Sequence, residues 1–215
     1  MPVHLVLFSS GFAGMATSLI MILFFQALFG YVYLWIGMII SGFMVGIAAG
    51  SFIYIKDLVP GKRPDRLLLL SETAHILFFL LLVGGLGFLR TSPNNPWFHL
   101  SAPYLIIVLS IISGLLTGYQ FPLANRLYLA GHPSILYSAG TLYAADLAGA
   151  WLAGILVTLL MIPVLGLVNT AIILLCLKAC TACLVGLGLA PGISVNGNTT
   201  SATSTDRHRE PAGRG

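Results

Sequence analysis

Charge is what this sequence has least of. Of its 215 residues only 7% are charged, six acidic and ten basic. A soluble domain carries about a quarter of its residues as charged side chains, so this chain has too few to cover a water-facing surface. The net charge of +4 comes from basic residues at the edges of apolar runs and in the C-terminal tail. No basic stripe of the kind that tracks nucleic acid is present, and no nucleic-acid partner is expected.

Cysteine is equally scarce. The three cysteines, Cys176, Cys180 and Cys183, share one apolar run, so they define neither a disulfide framework nor a redox compartment. Cys180 and Cys183 have a CxxC spacing, but a structural zinc site needs four ligands. We read all three as small packing residues and expect no metal site. A catalytic constellation is also missing. Val83-Gly-Gly-Leu-Gly87 lies inside an apolar run, where a phosphate loop cannot form, so no enzymatic activity is expected of this chain alone.

What is abundant is apolar surface: 58% hydrophobic residues and a mean hydropathy of +0.97. Such a surface must face lipid, where every backbone polar group has to be satisfied within its own segment. Long unbroken apolar runs therefore predict helices, since barrel strands would be short and alternating. The expected fold is all-α and polytopic, with six transmembrane helices over about 3–28, 32–55, 67–89, 102–121, 139–165 and 168–190. The first run is too long for a signal-peptide core and is expected to be a retained helix. Helix four is expected to stop at Pro122. A transmembrane domain thus covers 1–191, and the polar tail 192–215, rich in Gly, Ser, Thr and Asn, is expected to be disordered.

Orientation follows from the basic residues. Lys56, Lys62, Arg63 and Arg66 follow the second run, Arg126 follows the fourth, and Arg207, Arg209 and Arg214 lie in the tail, whereas Arg90 stands alone on the other side. Basic loops stay cytoplasmic, so both termini are expected there. Ser10-Gly-Phe-Ala-Gly14 and Ser113-Gly-Leu-Leu-Thr-Gly118 look alike, so the six helices admit a 3+3 inverted repeat.

Two sets of residues stand out within the runs. Gly42, Gly46 and Gly50 place a small residue at every fourth position of the second helix, and Gly149 and Ala153 do so in the fifth with Tyr143 and Ala150. Such faces allow close helix packing, and that of the second helix offers a docking surface to another subunit. Four ionisable groups form the other set: Glu72, His75, Asp146 and Lys178. A charge at a helix centre costs about 2.5–3.5 kcal/mol on insertion scales, so these side chains should face inward and find partners. Asp146–Lys178 is the simplest ion pair, with Glu72–His75 or Glu72–Lys178 as alternatives. The functional reading is an acidic cavity of Glu72, His75 and Asp146, open to the cytoplasm, for a cation or protons. The structural reading is buried pairs that hold helices together. His75 has no second histidine at its depth, so a haem held wholly within the chain is not expected, and cofactors stay undetermined.

These residues also carry a resemblance. Ser10-Gly-Phe-Ala-Gly14, the stretch from Phe25 to Gly37, Phe121-Pro-Leu-Ala-Asn-Arg126 and Leu142-Tyr-Ala-Ala-Asp-Leu-Ala-Gly-Ala150 resemble the membrane region of bacterial spermidine-synthase-like membrane proteins. The resemblance covers most of residues 8–185 and implies the bacterial inner membrane. Members of that family often fuse this region to a soluble aminopropyltransferase-like domain holding the active site. This sequence contains no strand followed by a Gly-rich nucleotide loop, so polyamine synthesis by this chain is not expected. Three functions follow as expectations. The first is a membrane subunit or partner-binding module of a larger inner-membrane complex, surrounded by lipid and by other subunits or its own copies. The second is a transporter of a small cationic solute such as a polyamine. The third is the membrane half of a split aminopropyltransferase-like enzyme.

Overall fold

The computed structural model of the chain describes residues 2–30, 33–56, 64–91, 96–129 and 135–187. Lys62, Arg63 and His132, with the whole tail 192–215, lie outside the described residues, so the expected orientation and domain boundary rest in part on residues beyond them.

Every described element is a helix: α1 (Pro2–Phe29), α2 (Tyr33–Lys56), α3 (Pro64–Thr91), α4 (Pro96–Leu129), α5 (Ile135–Leu156) and α6 (Ile162–Gly186). One π-helical turn, Val157–Met161, joins the last two. Five described stretches are long and apolar enough to cross a membrane. The last of them, Ala139–Gly186, is 48 residues long. At ~1.5 Å per residue it would reach about 72 Å if straight, more than twice a ~30 Å hydrocarbon core. It is not straight. Gly166, at φ 80° and ψ 171°, breaks it between the two segments expected from sequence. The backbone of Asp146 abuts Gly11 of α1, and Lys178 contacts Gln120, which in turn bonds Ser10 of α1. Two residues 32 positions apart along the chain thus lie at the same level of α1, Asp146 directly and Lys178 through Gln120, and the chain folds back at Gly166. Asn169 and Thr170 donate to the carbonyls of Leu165 and Gly166, at 2.9 and 2.7 Å, and tie the reversal down.

The first reversal is built the same way. Gly30, at φ 77°, donates its N–H to the Gln26 carbonyl at 2.9 Å, a left-handed helix end that glycine adopts without strain. Beyond it, Phe25 stacks near Trp35, and Trp35 near Tyr104, each with centroids 5.8 Å apart. At the opposite end Val6, Tyr54, Leu68, Leu123 and Leu127 pack together with Val185. Leu142 of α5 packs at that same end with Val3, Leu7 and Ala124, so successive helices run in opposite directions along the bundle, α6 from Gly166 onward.

Helix α4 departs from expectation. It does not stop at Pro122 but runs on to Leu129, and it starts at Pro96 rather than near residue 102. A proline inside a helix leaves the carbonyl four residues earlier without its donor. For Pro122 that carbonyl is Gly118, and the Ser51 hydroxyl of α2 supplies the missing bond at 2.9 Å. Neighbouring side chains can re-satisfy backbone freed by proline in this way, and the helix continues.

Two helix pairs are in backbone contact. In α2 and α4, a Cβ at Gly46 would strike the Ile111 carbonyl, one at Gly50 the Leu115 carbonyl, one at Gly114 the Phe43 carbonyl and one at Gly118 the Ile47 carbonyl. The Ser110 hydroxyl adds a bond to the Ile39 carbonyl at 2.8 Å. In α1 and α5, a Cβ at Gly11 would strike the Asp146 carbonyl, and one at Gly149 the Phe8 carbonyl. Dispersion rather than water release holds helices together in lipid, so backbones that close together are strong attachments. Helix α3 packs on α6 and α4, and α1 on α4 and α6, enclosing a core of Ile20, Phe25, Phe79 and Leu174. Outward lie Leu34, Met44, Phe52, Leu70, Leu81, Trp151 and Leu159, each more than half exposed: a surface suited to acyl chains.

Candidate functional site

The polar residues buried where α1, α3, α4 and α6 meet form one network. Glu72 of α3 and Lys178 of α6 are both 0% exposed, and the Lys178 ammonium lies 3.3 Å from Glu72 Oε1. Gln120 of α4, also 0% exposed, donates its amide N–H to that same oxygen. Its own carbonyl oxygen accepts the Ser10 hydroxyl of α1 at 3.0 Å and faces the Lys178 ammonium at 3.5 Å. Thr181, one turn beyond Lys178, donates to Glu72 Oε2 at 3.0 Å. Three helices thus meet at one carboxylate, and α1 joins them through Ser10 and Gln120.

This settles which of the expected pairings forms. The partner of Lys178 is Glu72, not Asp146, and Glu72 does not pair with His75. His75 sits on the same face of α3, 3% exposed, with Nδ1 2.9 Å from the Ser71 carbonyl. A carbonyl oxygen only accepts, so Nδ1 carries the hydrogen, and Nε2 is left as a buried acceptor with no partner among the described residues. Asp146 is half-buried, its carboxylate beside Gly11. It lies within the electrostatic field of Lys178 without a hydrogen bond among the described residues.

Of the three residues expected to line an acidic cavity, Glu72 and His75 are buried and Asp146 is half-buried. A cavity of about 360 Å³ lies at the far end of the bundle, between Phe24 and Leu28 of α1, Leu86 of α3 and the Gly166 reversal. Its lining is apolar apart from Asn169.

The small-residue faces are accounted for within the chain. Gly42, Gly46 and Gly50 are buried against α4, so the face that would have docked another subunit is occupied. Gly149 and Ala153 are buried toward α1, whereas Tyr143, assigned to the same face, is 55% exposed. Cys176, Cys180 and Cys183 are likewise not packing residues but exposed on the outer face of α6: the inner face of that helix is taken by Leu174, Lys178 and Thr181.

Three members of the network, Ser10, Gln120 and Thr181, were not candidates from sequence. Their side chains are uncharged, so a search for charge passes over them. The available signal was Gln120, an amide inside an apolar run, whose burial is costly unless both ends are bonded. Comparison with protein-family models, with curated proteins and with solved structures finds no match.

Proposed function

We propose that this chain is a six-span protein of the bacterial inner membrane, with both termini cytoplasmic, built as two inverted three-helix halves. At their junction the Glu72–Lys178–Asp146 cluster binds a small cation and passes it across, which is the transporter reading of the sequence. One observation carries it. A single constant offset in sequence relates Phe8 to Ile111, Gly11 to Gly114, Phe12 to Leu115, Phe43 to Asp146 and Gly46 to Gly149. The first and second residues of each pair make the same contacts in the two helix pairs: Gly11 on Asp146 and Gly149 on Phe8 answer to Gly114 on Phe43 and Gly46 on Ile111.

The helix arrangement supports the same reading. Exchanging α1, α2, α3 with α4, α5, α6 turns the α1–α5 contact into α4–α2 and α3–α4 into α6–α1, and leaves α1–α4 and α3–α6 unchanged; all of these contacts occur. An odd number of helices per half makes the second copy inverted. The offset also carries His75 onto Lys178, Thr17 onto Gln120 and Ser10 onto Ser113, all buried. A pseudo-two-fold axis then runs between His75 and Lys178, and the charged cluster lies on it. Inverted repeats with the ion site at their interface are a recurrent design of secondary transporters. Ionised, Glu72, Lys178 and Asp146 together carry one surplus negative charge, so the ligand is a cation.

The leading expectation from sequence, a subunit of a larger complex, loses the glycine face that favoured a docked partner, because α4 covers it; the membrane half of a split enzyme is the remaining alternative. Purification in mild detergent followed by reconstitution into liposomes tests the choice. Uptake of a small organic cation that is lost on Asp146→Asn supports transport. A stoichiometric set of other subunits, or a methyltransferase-like protein, recovered with a chain that moves no cation overturns it.

A further inference from the structure

The cluster contains one ammonium and two carboxylates. Lys178 lies in the field of both Glu72 and Asp146 but can neutralise only one. Its hold on the one it has chosen is loose. The distances from Nζ to Glu72 and Gln120 are 3.3 and 3.5 Å, whereas charge-assisted N–H···O bonds favour about 2.7–2.9 Å. Two neutral donors hold the Glu72 oxygens in place beside that contact, Gln120 on Oε1 and Thr181 on Oε2, and Ser10 fixes Gln120.

Acceptors outnumber donors around it. The Asp146 carboxylate has no hydrogen bond among the described residues, and His75 Nε2 is a buried acceptor without a partner, one turn from Glu72 on the same face of α3. A buried acceptor left without a donor costs ~1–3 kcal/mol. Acceptors in surplus, with one unbalanced negative charge, call for a monovalent cation bearing N–H donors.

Resting on the cation-binding reading above, we propose that Lys178 is a displaceable counter-ion standing in for such a ligand, a small primary ammonium. The incoming ammonium takes the place of Nζ against Glu72 and Gln120. Lys178, on its four-carbon stem, swings to Asp146. Charge balances at each stage: before binding Asp146 is the unpaired group, and after binding both carboxylates are paired and the cluster is neutral. The fully buried Glu72 carboxylate thus faces an ammonium at every stage, so the ligand can enter and leave without the full cost of isolating that charge.

The test is a charge ledger on the full chain in detergent, read as the thermal unfolding midpoint in methylammonium chloride against sodium chloride at equal ionic strength. The wild type rises in methylammonium by roughly 5–10 °C at about 100 times the dissociation constant. Asp146→Asn leaves a neutral cluster and loses the rise, and so does Glu72→Gln, whose lysine is free to pair with Asp146. Lys178→Met enlarges the rise, because both carboxylates then lack a partner. The double variant Asp146→Asn/Lys178→Met has one surplus charge again and regains it. If the double variant elutes as a folded species yet shows no rise, or if Asp146→Asn responds like the wild type, the displaceable lysine is overturned while cation binding stands. An unresponsive wild type overturns both. Should Lys178→Met not fold in sodium, recovery of folded protein on purification in methylammonium supports the proposal, and failure in both salts overturns it.

Discussion

The Lys178 ammonium meets the Glu72 carboxylate across 106 residues of sequence, 3.3 Å apart, with neither side chain exposed at all. A pair of this kind adds little stability relative to apolar residues of the same shape, but removing one member leaves the other charged and buried, at about 3–5 kcal/mol.

Gln120 is the first residue through which to test that sensitivity. Replacing it with Leu removes a donor to Glu72 and an acceptor for Ser10, and should destabilise the protein by about 2–4 kcal/mol, hydrogen bonds to charged groups contributing ~1.5–3 kcal/mol each. Ser10→Ala removes one neutral bond and should cost about 1 kcal/mol. Denaturant titration in mixed micelles would rank the two. Equal effects would mean that the network is not centred on Glu72.

The two glycines at adjacent turns of α2 should behave differently. A methyl group at Gly46 collides with the backbone of Ile111 and Leu115, which cannot move without separating α2 from α4. At Gly42 it meets the Ile111 side chain at 3.2 Å, which can rotate away. Gly46→Ala should therefore cost about 1–3 kcal/mol, the range for overpacking, and Gly42→Ala well under 1 kcal/mol. Thermal unfolding of the two variants side by side measures the difference.

Gly166 tests the fold-back directly. Nothing lies within 4 Å of a Cβ built there, so space is not the constraint. Its φ of 80° with ψ of 171° belongs to a region essentially confined to glycine, and forcing another residue into it costs on the order of 1–3 kcal/mol. Gly166→Ala should lower stability by that amount, whereas Gly85→Ala, also unobstructed but helical, should not. Disulfide trapping of cysteines placed at Leu28 and Val168, which both line the cavity beside the reversal, would report whether the two strands of chain stay together.

The cysteines should be dispensable. Cys176, Cys180 and Cys183 point away from the bundle, and surface substitutions remote from packing features usually change stability by no more than about 0.5 kcal/mol. A triple Cys→Ala chain should unfold at the wild-type midpoint. It would then serve as the background for labelling residues 61 and 93 from either side of the membrane, with residue 61 and both termini expected on one side and residue 93 on the other.

Much of this architecture could be read along the chain, because lipid imposes rules that act locally. Each helix must satisfy its own backbone, so apolar runs become helices, and turns fall where Gly30 and Gly166 interrupt them. The end of α4 could not be read that way. Pro122 is a stop signal to any local rule, and its reversal depends on Ser51, a residue 67 positions away that supplies the missing donor to Gly118.

The candidate site divides along the same line. That Glu72, His75, Asp146 and Lys178 need partners is legible along the chain, because the cost of a charge in hydrocarbon does not depend on what lies beside it; Glu72, His75 and Lys178 are buried, and Asp146 is half-buried. Which partner each one takes is set by how the helices cross. Three groupings of those four residues satisfied the arithmetic of charge. The choice of Glu72 for Lys178 follows from the crossing of α3 with α6 beside α4, which brings Gln120 and Thr181 to the same carboxylate and leaves Asp146 open against Gly11. Hydrogen bonding is a matter of tenths of an ångström across helices distant in sequence, and no pattern along the chain encodes it.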